Sequence, residues 1–283
     1  MDMFVSSTAV AAAPAAMPAS PDASAALFAA AASLLDHLAH GRAVDTPALR
    51  AAMCDAFGGS DAEGAWDWKT GYDACEAATV LFLRRFGPGM RGRAGSPVAL
   101  LAMLAKVAAL LPSHTRRSEE SQALQQFSTP IALGFAAATA AAITPADLVL
   151  EPSAGTGLLA IIAELAGGRF VLNELAETRA DLLGRLFPGV PVTRHDAAQI
   201  HDHLDLAVRP SVVLMNPPFS VAAHVEGRVA DAAFRHVTSA LARLADGGRL
   251  VAITGASLAP DNPAWRESFV HLQQRGQIGR AHV

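Results

Sequence analysis

The chain has 283 residues, of which 52% are hydrophobic and 17% charged, and its formal net charge is −4. That is enough apolar material for a sizeable core, and the wrong overall charge for a polycation that coats nucleic acid. Cys54 and Cys75 are the only cysteines, too few for a disulfide framework or a cysteine-based zinc site, and they read as reduced thiols of a cytoplasmic protein.

The first twenty residues, MDMFVSSTAVAAAPAAMPAS, have no basic start and carry prolines within their apolar part, so they do not read as a secretion signal. Residues 1–24 are Ala/Pro/Ser-rich and are expected to be disordered. Residues 25–118 read as a helical region. Ala25 to His40 has helical spacing. TPALRAAMCDAF (Thr46 to Phe57) opens with a threonine cap and Pro47 in the first turn. YDACEAATVLFLRRF (Tyr72 to Phe86) sets Ala74, Ala77, Leu81 and Phe82 on one apolar face and ends at Gly87. Gly87 to Ser96, GPGMRGRAGS, reads as a linker, and Ser96-Pro97 opens another helix. The longest apolar run, Ile131 to Ile143, is shorter than the roughly 20 residues a bilayer requires, so no membrane partner is expected.

Beyond Arg117 the pattern becomes strand–helix alternation. Strands are expected at Asp147–Pro152, Arg169–Glu174, Val190–Arg194, Ser211–Asn216 and Gly247–Thr254. Helices are expected at Leu158–Ala166, Ala176–Phe187 and Arg228–Leu244. Continuous apolar strands between helices predict an α/β fold with a doubly wound parallel sheet, preceded by the small helical region. Ligands of such sheets bind at the carboxyl ends of the strands, which gathers Glu151, Glu174, Asp196 and Asn216 at one edge.

EPSAGTGLLA (Glu151 to Ala160) is a strand, a glycine-rich turn and a helix start, suited to close backbone approach and to an anionic group at the helix N-terminus. On its own it also fits a dinucleotide fingerprint, with Glu174 at the distance expected for a ribose ligand, so a nicotinamide oxidoreductase stays open here. MNPPFS (Met215 to Ser220) weighs against it. Two prolines after a core strand remove donors and stiffen the backbone. The Asn216 side-chain carbonyl and the Pro217 backbone carbonyl are then a fixed acceptor pair. Such a pair can hold both N–H groups of a planar amine and aim its lone pair at a methyl donor. Phe219 can stack on an extruded base.

With QQFSTP (Gln125 to Pro130) ahead of the first strand, these motifs resemble class I S-adenosylmethionine-dependent methyltransferases of the DNA N6-adenine type. The resemblance covers about residues 120–275. It implies that Phe127, Thr129 and Pro130 line the cofactor site, that Glu151, Ser153, Ala154, Gly155 and Gly157 form its first motif, that Glu174 binds the ribose, and that Asp196 and Ala197 meet the adenine. Asn216, Pro217, Pro218 and Phe219 are the implied catalytic motif. GYDACEAATVLFLRRF and ALARLADGGRLVAITGAS extend the resemblance to bacterial strawberry-notch-like proteins, where such a module precedes a helicase. DNA and a helicase domain in cis are the implied partners, with S-adenosyl-L-methionine as cofactor.

The family's sheet has two further strands forming an antiparallel edge hairpin. These are expected to be missing, which would leave the fifth strand as a bare apolar edge. Ile278 to Val283, IGRAHV, is what a widely used sequencing adapter gives when translated, so the methyltransferase unit is taken as residues 119–277, truncated. Methylation of an RNA guanine or a protein glutamine, and a catalytically silent scaffold of a fused helicase, are the alternatives. His195, His201 and His203 read as a polar loop, with no metal expected. Trp66, Trp68 and Tyr72 read as helix anchors. Arg84, Arg85, Arg91, Arg93, Arg116 and Arg117 are candidate phosphate contacts or a solvated helix end.

Overall fold

The computed structural model describes residues 22–112, 129–217, 223–225, 228–230, 232–255 and 258–275. Phe127, Pro218, Phe219, Arg116, Arg117 and the stretch 278–283 lie outside the described residues.

Helix α1 (Ala23–Ala39) starts where the Asp22 carboxylate accepts from the backbone N–H groups of Ser24 and Ala25. Helix α2 (Thr46–Phe57) is capped by Asp45, which accepts from Ala48 N at 2.9 Å. The cap is therefore one residue earlier than expected, and Thr46 is already helical. Helix α3 (Trp68–Ala94) runs straight through Pro88, so the expected linker from Gly87 is mostly helix. Tertiary contacts override the local breakers. Arg84 pairs with Glu164 at 2.8 Å, Arg91 donates to the Leu165 carbonyl, and a side chain at Gly87 would meet Leu165 at 2.8 Å. The helix ends only at Gly95, which has φ +66°. Helix α4 (Pro97–Ala108) follows, capped by Ser96.

After α5 (Ile131–Ala140) come β1 (Leu148–Glu151), α6 (Leu158–Leu165), β2 (Arg169–Asn173), α7 (Glu177–Leu186) and β3 (Val192–Thr193). A short 3-10 turn (Ala197–Gln199) leads into α8 (Ile200–His203), then β4 (Val212–Met215). Next are β5 (Ala223–Val225), β6 (Arg228–Ala230), α9 (Ala232–Leu241), β7 (Arg249–Ala252) and α10 (Arg266–Gln274). All five strands expected from the sequence are present, in one parallel sheet of order β3-β2-β1-β4-β7.

Two elements differ. The helix expected from Arg228 begins at Ala232, because residues 228–230 pair antiparallel with β5, Val225 opposite Arg228. Val225 and Arg228 flank Glu226-Gly227, and the glycine there is a weak turn signal inside an otherwise helical composition. Helix α10, after β7, was not expected at all. Among the described residues β7 pairs with β4 alone, which leaves the half-buried Leu250 and Val251 on an edge strand.

The strands divide their side chains with the two-residue period of a sheet. Val149, Leu172, Val212 and Leu214 join the larger core, which continues without a break into Leu27 and Leu34 of α1, Leu83 of α3 and Leu159 of α6. Leu150, Val171, Val213 and Met215 face the opposite layer with Ile200, Leu204 and Ala240. The helical region therefore shares the sheet's core. Among the described residues no helix is long and apolar enough to cross a membrane.

At the amino ends of the strands, Asp147 joins β1, β4 and β7. Its carboxylate accepts from Ser211 Oγ at 2.7 Å, Thr144 N at 2.8 Å and Arg249 Nη2 at 2.9 Å. Burial raises its pKa, but these hydrogen bonds and the arginine outweigh burial and bring it from 3.8 to about 2. The folded state thus binds this proton less tightly than the unfolded chain. Its stabilisation is complete above the unfolded value and is lost as the pH falls towards about 2. Wild type should exceed Asp147→Asn in stability at neutral pH, with the gap closing on acidification, as urea titrations at stepped pH will read.

Leu83 is fully buried where α3 meets the α/β layer. Leu83→Ala should cost about 2–5 kcal/mol. The shared core predicts that tryptophan fluorescence, from Trp66 and Trp68 in the helical region and Trp265 in the α/β part, and far-UV circular dichroism shift together in one urea transition.

Candidate active site

The carboxyl ends of β1, β2 and β4 meet where the strand order reverses, between β1 and β4. Asn173, at the end of β2 and fully buried, ties this edge together. Its Nδ2 donates to the carbonyls of Pro152 and His195, both at 2.9 Å. Its Oδ1 accepts from Thr193 Oγ1 at 2.8 Å and His195 N at 2.9 Å. Every polar site of that amide is used, as a buried amide requires.

The turn after β1 runs from Glu151 to Gly157. Gly155 and Gly157 have φ of +56° and +86°, and the Phe187 ring occupies the place a side chain at Gly157 would need. Glu174 braces the turn. One carboxylate oxygen accepts from Gly155 N at 2.8 Å, and the other from Ala176 N at 3.0 Å. Ala154 N donates to the Asn173 carbonyl at 2.9 Å. Asp196 caps the 3-10 turn after β3 by accepting from Ala198 N at 2.9 Å, and Ala197 beside it is buried.

Two buried oxygens at this edge have no hydrogen-bond partner among the described residues, Asn216 Oδ1 and Glu151 Oε2. Asn216 leaves the end of β4 with its Nδ2 donating to Thr129 Oγ1 at 2.9 Å, so its amide plane is held and its oxygen is the end left over. Pro217 is buried behind it, and Pro130 follows Thr129 as the cap of α5. Burial, with Glu174 nearby, pushes the Glu151 carboxyl well above the usual carboxylate range. Thr129, Glu151, Ser153 and Asn216 line a recess of about 40 Å³. Next to it opens a cleft of about 620 Å³, walled by Ser153, Gly155, Glu174, Asp196, Ala197 and Asn216. Thr129, Glu151, Ser153, Ala154, Gly155, Glu174, Asp196, Ala197 and Asn216 are thus brought together around one cavity and its inner recess, whereas Pro130, Gly157 and Pro217 line neither. A second, apolar cleft of about 400 Å³, between α3, α4, α5 and α6, contains none of them.

The opposite wall comes from the helical region and was not foreseen. Trp66, Lys69 and Asp73 line the same cleft. Arg179 donates to Asp73 from Nε at 3.0 Å and Nη2 at 2.5 Å, and the Thr156 hydroxyl donates to Glu76. The signal was present in YDACEAATV, two carboxylates three residues apart on a helix face that is otherwise Ala and Val. His236 of α9 also lines the cleft; burial lowers its pKa, and its Nδ1 has no partner among the described residues. Trp66 and Trp68 meet edge to face, centroids 5.6 Å apart, in keeping with helix anchoring. Arg84 is committed to Glu164 and lies over the Phe187 ring at 4.6 Å, which removes it from any phosphate-binding set. His195 stacks on His203 at 5.1 Å and His201 bonds Ser239 Oγ at 2.8 Å. No group of three metal-binding side chains occurs among the described residues.

No protein-family model matches the chain, and no curated protein is similar to it. Among solved structures it is similar to a candidate RNA methyltransferase of Pyrococcus horikoshii, with 22% identity and TM-score 0.43 over 60% of this chain and 79% of that one. TrmN of Thermus thermophilus shares 23% identity, TM-score 0.40, over 51% of this chain and 43% of its own. A modification subunit of a candidate type I restriction enzyme of Vibrio vulnificus shares 16%, TM-score 0.41, over 62% and 47%. The chain spans less than half the length of the last two. Likeness at this level carries no functional argument, and the site has to be read from its own geometry.

The raised pKa of Glu151 has a stability consequence. The folded state holds this proton more tightly than the unfolded chain does, so the group's contribution is lost as the pH rises through its folded pKa. Glu151→Gln keeps the shape without the charge. It should gain on wild type as the pH climbs above the ordinary glutamate value of 4.5, in thermal melts recorded from acid to alkaline buffer.

Proposed function

We propose that this protein transfers a methyl group from S-adenosyl-L-methionine to an exocyclic amine, adenine N6 in DNA being the target, as one module of a larger methyltransferase/helicase protein. The observation that carries the reading is Asn216. Its oxygen has no partner among the described residues, in an amide whose nitrogen is already engaged by Thr129, at the carboxyl end of β4 and beside the glycine-rich turn.

The residues fit the cofactor. Gly155 leaves room for its close approach, the Glu151 carboxyl, whose Oε2 has no partner among the described residues, suits its ammonium group, and Glu174 and Asp196 line the cleft where ribose and adenine would lie. Bound, it would supply a methyl group already activated on a sulfonium. What remains for the chain is positioning and charge stabilisation.

Asn216 Oδ1 and the Pro217 carbonyl together accept both N–H groups of the target amine. A nitrogen so held is drawn towards pyramidal geometry, with its lone pair freed from the ring. As positive charge grows on that nitrogen, both hydrogen bonds strengthen, which favours the transition state over the ground state. Pro217 stiffens the backbone beside the acceptors, and the sequence motif implies Phe219, outside the described residues, as the aromatic partner of an extruded base.

The test pairs binding with transfer. Calorimetry should show S-adenosylmethionine binding to wild type, and labelled methyl groups should pass to adenine in DNA. Asn216→Ala should keep the affinity and lose about 10²–10³-fold in transfer rate. A wild type that binds no S-adenosylmethionine overturns the reading. Binding without transfer to DNA, RNA or protein moves the assignment to a silent scaffold.

A further inference from the structure

The glycine-rich turn has a weakness built into it. Gly155 makes close approach possible and Gly157 makes room for the Phe187 ring, but glycine leaves the backbone more conformations than any other residue, so a ligand that needs the turn in one shape must bear the ordering cost. Something outside the turn can bear that cost beforehand, and α3 does. Thr156, the one residue between the two glycines, is buried and donates its hydroxyl to Glu76. Arg179, early in α7, has its guanidinium about 4.0 Å from where a Gly155 side chain would begin, and Asp73 holds it through two hydrogen bonds.

Arg179 is nine-tenths buried and lies among the carboxylates of Asp73, Glu76 and Glu174, while Lys69 Nζ is 3.6 Å from Asp73. A buried ion pair is a poor device for stability, since apolar residues of similar volume serve as well or better. Its benefit here is geometric. It holds one guanidinium against Gly155, whose amide is held in turn by Glu174.

We propose that Arg179 is a positioning residue, and that α3, through Asp73 and Glu76, pre-orders the turn that receives the ligand. The N-terminal helical region is then half of the binding site, and its integrity governs affinity. The affinity part of this inference rests on the S-adenosylmethionine reading; the ordering part does not.

Hydrogen exchange tests the ordering directly. In Asp73→Asn, and in the milder Thr156→Val should the first fail to fold, amides of residues 153–157 and 174–179 should exchange about tenfold faster than in wild type. Amides of β1 and β2 should be unchanged. Equal exchange in the turn, or acceleration spread evenly over the sheet, overturns the proposal.

Calorimetry with S-adenosylmethionine tests the consequence. Arg179→Gln should bind about tenfold more weakly at a temperature where it is fully folded, and Arg179→Lys should recover part of the loss. Unchanged affinity in Arg179→Gln overturns the positioning role. A wild type that binds nothing sinks the cofactor reading alone, and the exchange result then decides the ordering by itself.

Discussion

The side-chain amide of Asn173 is the knot of this structure. Four hydrogen bonds fasten the exit of β1, the end of β2 and the residues after β3 to one another. Strand ends in a parallel sheet are otherwise the places where backbone pairing stops and loops diverge. With Asn173 fully satisfied inside the core, Ser153, Glu174 and Asp196 leave the sheet in fixed directions and face a common cleft. The same amide would be a liability if any one partner were lost, because a buried polar group without a partner costs more than the bond it replaces.

Against that closed network, two oxygens at this edge stand out. Asn216 Oδ1 and Glu151 Oε2 are buried and unanswered among the described residues, and both border the recess next to the cleft. A protein that satisfies Asn173 and Asp147 so completely has the means to satisfy these as well. Glu151 shows the cost in the free protein, its carboxyl displaced upward by burial and by the neighbouring Glu174.

The helical region belongs to the same object. Its hydrophobic residues merge with those of the sheet, and its few buried charges, Asp73 and Glu76, reach the turn and the start of α7. Trp66 and Lys69 complete the far wall. A reading in which the helices form a separate nucleic-acid module has to accommodate this sharing of core and cleft.

Much of the fold was legible in the residues. Continuous apolar runs between helical segments marked all five strands of the main sheet, and the alternation with helices implied their parallel order. Glu151, Glu174, Asp196 and Asn216 could be gathered at one edge, because a chain leaving parallel strands must pass that edge. Local rules failed where distant contacts outweighed them. Gly87-Pro88 reads as a stop, yet α3 continues, because Leu165 and Glu164 hold its second half. Residues 228–230 read as helix, yet pair with β5. By itself the sequence determined the five strands of the main sheet, which turn must be glycine, and which side chains can accept or donate. Only the tertiary structure decided which of those side chains would be satisfied. Asp73 and Arg179 lie 106 residues apart, and nothing local to either names the other. Their pairing exists because burial leaves a charge no cheaper partner than the one the fold brings to it.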